Sequence, residues 1–287
     1  MNNLDKQRFS LKQWELLALL AAVVIILTPL LVLYQTSTQK IPVELPANQF
    51  VGSENCKKCH EAVYNQWRGS HHDLAMSVAD ESTVLGDFND QRFVDPHNGY
   101  ESRFFKKGGD FFVETEGPDG ERGQFKISHT FGVTPLQQYL VPFPDGRLQC
   151  LNIAWDVVKK QWYRLPPYEV QGTDDWLHWT NGGQTWNAMC AECHSTRLEK
   201  NYDLETDQYN TIWYEINVGC EACHGPSGAH VAWADQPAMA RKNVPNYALV
   251  MDTYQMQPQQ QANLCAPCHS RRFQVGNNDH GSEELLD

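Results

Sequence analysis

Cys190-Ala191-Glu192-Cys193-His194 and Cys220-Glu221-Ala222-Cys223-His224 are two copies of one five-residue pattern. The pattern stands again upstream as Cys56-Lys57-Lys58-Cys59-His60 and downstream as Cys265-Ala266-Pro267-Cys268-His269. C-x-x-C-H is the attachment signature of c-type haem. Residues three and four apart share one face of a helical turn. Two thiols so placed can each form a thioether with a haem vinyl group, and the adjoining His is carried under the iron as proximal ligand. The four copies take eight of the nine cysteines. A zinc ribbon needs paired knuckles at short separation, and a disulfide scaffold has no reason to repeat the His. The expectation is four covalently bound haem c, attached through Cys56, Cys59, Cys190, Cys193, Cys220, Cys223, Cys265 and Cys268. Their irons would rest on His60, His194, His224 and His269.

The bulk properties agree with such an interior. Of 287 residues, 41% are hydrophobic, which is on the low side for a globular chain, and porphyrin would replace part of the apolar core. The formal net charge of −12 argues against nucleic acid, whose phosphates need a basic surface. An acidic face suits docking to a basic redox partner, where charge mainly sets the on-rate. It equally suits a merely soluble surface.

Before the first motif, Lys6, Arg8 and Lys12 precede a 19-residue apolar run, Leu16 to Tyr34, interrupted only at Thr28 and Pro29. That length nearly spans a bilayer core. No small-residue cleavage pattern follows Leu33, which favours an uncleaved anchor over a removed signal. The positive flank should remain in the cytoplasm, leaving the bulk of the chain in the periplasm or extracytoplasmic space. The chain then divides into three regions: residues 1–35 as cytoplasmic flank and transmembrane helix, 36–50 as a linker carrying Pro42 and Pro46, and 51–287 as a multihaem cytochrome domain. The fold expected for that domain is mainly α and irregular, organised around a stack of four haems. A small antiparallel β insertion is expected at about 91–165. There, Phe104-Phe105, Phe111-Phe112-Val113 and Phe125-Lys126-Ile127 alternate with Gly- and Pro-bearing turns. Cys150, the ninth cysteine, lies alone in that insertion and reads as a half-buried strand residue.

Seven histidines outside the motifs are enough to supply four distal ligands: His71, His72, His97, His129, His178, His230 and His280. The first motif should continue as a helix through Trp67, with Gly69 as its stop. Ser70 then reads as the N-cap of a second helix, with His71 and His72 in its first turn. One of this pair is expected to ligate iron. His178 stands among Trp176, Trp179 and Trp186 shortly before two motifs and is a further candidate. His230 is too close to His224 to reach the opposite face of that haem easily, and it suits a neighbouring one.

These motifs resemble the multihaem c-type cytochromes related to the tetrahaem electron acceptor of hydroxylamine oxidoreductase. The resemblance rests on the first motif with Trp67, His72, Ala75 and Met76, on Cys190 to His194, on Gly219 to Pro226 with His230, and on Cys265 to His269. Thr130 to Leu140 and His178-Trp179-Thr180 are similar to a narrower group, membrane-anchored multihaem cytochromes fused to tetratricopeptide repeats. This implies that the chain is the N-terminal part of such a protein. It also implies His72 and His230 as distal ligands, each to a haem other than the nearest in sequence. Relatives of the tetrahaem type carry a His shortly before the last motif, and Met256 to Leu264 contains none. For the fourth haem this leaves His129, His178, His280 or a residue beyond the chain. The function implied is electron transfer outside the cytoplasmic membrane. The alternative is a haem enzyme with one five-coordinate iron acting on small nitrogen or sulfur oxyanions or hydroxylamine-like substrates. A non-redox interaction module is the third reading.

Overall fold

The computed structural model describes residues 11–38, 49–169, 172–251 and 253–270. The linker expected at 36–50 falls largely outside these residues, as do His280 and the polar tail. Helix α1, Leu11–Thr38, carries the apolar run. Its stretch Trp14–Leu31 is long and apolar enough to cross a membrane.

Strands dominate the globular part, twelve of them among the described residues. Four form one antiparallel sheet in the order β2 (Gln91–Val94), β3 (Glu101–Lys107), β4 (Asp110–Glu116) and β5 (Arg122–Lys126). A second sheet runs β1 (Met76–Val78), β6 (His129–Phe131), β7 (Leu136–Pro142), β9 (Ile153–Asp156) and β10 (Gln161–Arg164). In it β8 (Leu148–Cys150) also pairs with β7. A hairpin of β11 (Tyr202–Asp203) and β12 (Gln208–Tyr209) stands apart.

The chain is thus about 30% helix and 24% strand, which corrects the expectation of a mainly α fold. Helix α1 alone contributes 28 of the helical residues. A haem motif asks for little more than one helical turn, and two of the four get no more: α4 (Ala191–His194) and α5 (Cys220–His224) both stop at their histidine. Gly225, at φ +70°, turns the chain out of α5. Only α2 (Ser53–Trp67) and α7 (Pro258–His269) are longer. The short α3 (Trp186–Met189) and α6 (Gly228–Ala234) complete the set.

The β part also begins earlier than expected. After Gly69, residues from Ser70 make single turns, with Leu74 N–H on Ser70 O and Ala75 N–H on His72 O. No second helix forms, because Met76–Val78 is drawn into the sheet beside β6.

Strand alternation divides the apolar residues between two cores. Phe104, Phe111 and Val113 from the first sheet meet Tyr139, Val141, Ile153, Trp155 and Trp162 from the second. Phe88 seals this cluster, edge-on to Phe104, Phe111, Tyr139 and Trp162. The opposite face of the second sheet presents Met76, Phe131, Leu140 and Cys150 to Trp186 and Ala191 of α3 and α4. Strand β7 serves both cores, since Tyr139 and Leu140 point opposite ways. The β part is therefore the wall on which the second haem motif is built, rather than a separate insertion. Cys150 is fully buried in that wall, in a cluster against which Cys190 packs.

Phe104 is fully buried and stacks on Trp162 at 3.6 Å between ring centres. Phe104→Ala is expected to destabilise the β part by about 3–5 kcal/mol, read by chemical denaturation followed through tryptophan fluorescence. A loss below about 1 kcal/mol would show that the two sheets do not depend on this contact.

Candidate haem-binding centre

Two pairs of histidine rings face each other across a gap. His60, from the first motif, lies 6.1 Å from His230 between ring centres with the planes 26° apart. His269, from the fourth, lies 6.3 Å from His72 at 67°. Two metal–nitrogen bonds of about 2 Å each, plus the half-widths of two imidazoles, also span about 6 Å. Both gaps therefore fit a metal held on its two axial sides.

Ring orientation supports the same use. His230 Nδ1 is 2.8 Å from the Tyr247 carbonyl, and His194 Nδ1 is 3.0 Å from the Ala75 carbonyl. His224 Nδ1 lies 3.2 Å from Thr253 Oγ1. An imidazole donating from Nδ1 to a carbonyl keeps the Nε2 lone pair for a metal. Burial lowers the pKa of His194 and His224 below the ordinary value, which also keeps them neutral.

Between His72 and His269 opens a cavity of about 310 Å³. Cys265 and Cys268 lie on its wall with Phe50, Leu198, Arg197 and Glu221. Two thiols, two facing imidazoles, apolar walls and one guanidinium suit an iron porphyrin with acidic side arms. The described residues hold no cluster of three or more metal-binding side chains.

The motifs also touch one another. The neighbouring Cys220 thiol pushes Cys56 up, and Cys56 pulls Cys220 down to about 7. Cys223 and Cys265 line one cavity, and Cys193 Sγ lies 3.8 Å from the Pro267 carbonyl. The first motif is thus set beside the third, the third beside the fourth and the fourth beside the second.

A zip of polar contacts fixes the first of these junctions. Cys220 N–H donates to Ser53 Oγ at 3.0 Å, and Ser53 donates its N–H and hydroxyl to Glu215 at 2.9 and 3.0 Å. Val51 and Gly52 donate to Glu221. Nearby, Trp67 Nε1 reaches the Val218 carbonyl at 3.0 Å, and Asn217 Nδ2 reaches Asp73 Oδ1 at 2.8 Å. A Cβ on Gly219 would collide with Glu215 Oε2 and Ser53 Oγ. Gly219→Ala is therefore expected to cost about 1–3 kcal/mol by overpacking, seen as a lower Tm of the purified protein. An unchanged Tm would mean that the junction yields without cost.

The other histidines lie elsewhere. His178 is buried in the β part, with Nδ1 2.8 Å from Thr180 Oγ1 and Nε2 3.7 Å from Glu116 Oε2. It lines a separate polar cavity of about 250 Å³ beside the Asp95–Arg164 ion pair of 3.3 Å. Among the described residues its ring meets no motif histidine. The tryptophans beside it serve different ends, Trp179 the β core and Trp186 the wall behind the second motif. His129 packs edge-on to Trp213, and His97 stacks on Tyr168. His71 is exposed, without a ring partner among the described residues.

Sequence reasoning does not find Ser53, Glu215 or Glu221. The contacts that join them across the first junction span more than 160 residues of chain, and no local pattern announces such a contact.

Residues 55–98 and 168–225 match the family model of cytochrome c554 and c-prime. They take in the first three C-x-x-C-H motifs and His72, while His230 and the fourth motif lie outside them. No curated protein sequence matches the chain. Among solved structures it is similar to the outer cell wall cytochrome OcwA, at 20% identity and TM-score 0.46, over 77% of this chain and 37% of that one. It is also similar to an undecahaem cytochrome from the S-layer of Carboxydothermus ferrireducens, at 21% identity and TM-score 0.39, over 67% of this chain and 23% of that one. The chain thus spans about a third or less of these multihaem cytochromes.

Proposed function

We propose that the protein is a membrane-anchored tetrahaem c-type cytochrome that passes electrons outside the cytoplasmic membrane. One observation carries this reading: the facing pairs His60–His230 and His72–His269. Each would close both axial sides of an iron and leave it one-electron chemistry only. The group itself supplies the Fe(III)/Fe(II) couple, and the chain supplies position, ligand orientation and burial. The motif contacts give the route its order: first, third, fourth, second. The run Trp14–Leu31 and the basic residues before it would hold the route at the membrane surface. A basic redox partner would suit the net charge of −12. The relation to hydroxylamine oxidoreductase and the fusion to tetratricopeptide repeats belong to this proposal as expectations from sequence resemblance.

A second reading has its own support. Among the described residues no other imidazole stands opposite His194 or His224, and Phe131 lies edge-on to His194 at 5.4 Å. An iron there with one open face would allow catalysis on a small nitrogen or sulfur species.

The absorption and electron paramagnetic spectra of the purified ferric protein decide between the two. Predominantly low-spin iron, unmoved by nitrite, nitric oxide or hydroxylamine, is the outcome expected of a carrier. A strong high-spin signal that shifts with any of these would transfer the assignment to the enzyme.

A further inference from the structure

We infer that the Glu221 carboxylate is a positioning residue that pins the first haem motif to the third and biases the neighbouring irons toward their oxidised state. This rests on the haem-bearing reading above and goes beyond it by naming what tunes the centre.

Glu221 sits inside the third motif, between Cys220 and Cys223, and is 2% exposed. Its Oε1 accepts from Val51 N at 3.1 Å and from Ser227 N at 2.7 Å. Its Oε2 accepts from Val51 N at 2.9 Å and from Gly52 N at 2.7 Å. Every one of these contacts is accepted from a main-chain N–H group, which matches an ionised, acceptor-only carboxylate. Bonds to an ionised acceptor are roughly twice as strong as neutral ones. Val51 and Gly52 immediately precede α2, the helix that carries Cys56, Cys59 and His60. Glu215 binds the next residue, Ser53, through its N–H and hydroxyl. Two carboxylates thus hold the start of α2, where the helix dipole favours negative charge. They set Ser53, at the start of α2, against the third motif, where Cys220 N–H donates to Ser53 Oγ at 3.0 Å.

The same carboxylate lies on the wall of the cavity between His72 and His269. One buried negative charge is therefore next to three motifs: the first through α2, the third from within, and the fourth through the cavity. Main-chain dipoles stabilise this charge but do not cancel it as a Lys or Arg would. In a poorly polarisable interior its field is weakly screened. Gaining an electron removes one positive charge from the iron centre, so a nearby carboxylate favours the ferric form and lowers the midpoint potential.

The test compares Glu221→Gln and Glu221→Asp in the haem-loaded full chain, by potentiometric titration of the visible spectrum and by amide hydrogen exchange. Glu221→Gln should shift one or more midpoints to more positive values and speed exchange at Val51, Gly52 and Ser227. Glu221→Asp keeps the charge and shortens the reach, so it should speed exchange while its midpoints stay near those of the parent. Unchanged midpoints in a four-haem Glu221→Gln protein overturn the inference and leave the proposed function standing. Equal shifts in both variants overturn it as well, since the effect would then be packing alone. If Glu221→Gln does not fold, Glu215→Gln withdraws the neighbouring charge from the same helix start. A positive shift there supports the inference, and unchanged midpoints overturn it. A parent protein without covalent haem would instead overturn the function.

Discussion

After acid–acetone extraction of the denatured protein, the colour is expected to stay with the polypeptide, and the intact mass to exceed that of the bare chain by four haems. The expectation rests on thioether bonds, which survive loss of the fold, whereas axial histidines release iron once the chain opens. The paired substitution Cys190→Ala with Cys193→Ala should remove one haem and no more. The same should hold for each of the other three pairs. Cys150→Ala should remove none, because its thiol packs beside Cys190 in the wall of β8 and belongs to no motif. A colourless pellet, or a pair whose loss leaves the haem count unchanged, would contradict the assignment of all eight cysteines.

His230→Ala and His72→Ala should each convert about one haem in four from low to high spin, since each opens one axial face. By ring pairing, the first variant should affect the iron on His60 and the second the iron on His269. Small ligands such as nitric oxide should then bind where they did not in the parent. His178→Ala is the control. Its imidazole faces Thr180 and Glu116 inside the β part, so its loss should leave the spectrum alone. A spectral change in His178→Ala with none in His72→Ala would reverse the pairing inferred for the fourth site.

The haem motifs are legible in the sequence because their chemistry is local: two thiols and an imidazole within one turn leave their mark in five adjacent residues. The β strands around Phe104, Phe111 and Phe125 are legible for the same reason, each lying between turn residues. The weight of the β part is not. Met76–Val78 looks like the tail of a helical unit, and only its pairing with His129–Phe131 makes it a strand. His71 and His72 come after a plausible N-cap at Ser70, yet the sheet pulls the chain straight before a helix can form. His178 stands close in sequence to the second and third motifs, and its imidazole lies beside Thr180 and Glu116 in the β part. For a partner of His269 the sequence offers His129, His178, His280 or a residue beyond the chain, whereas the ring 6.3 Å from His269 is that of His72, from the opposite end of the domain. Glu221 is visible in the sequence only as a filler between two cysteines, since its three donors are remote or outside the motif.

The pairing of His60 with His230 also bears on how the protein is made. Synthesis runs from the amino end, so the first motif emerges long before α6. In a protein that carries four covalent haems, the first porphyrin spends that interval with one side of its iron bare. It would be open to water, to dissolved gases or to the wrong imidazole, with His71 and His72 the nearest in sequence. Maturation would end only when α6 folds back to evict the temporary occupant, which makes His230 the latch of the assembly line.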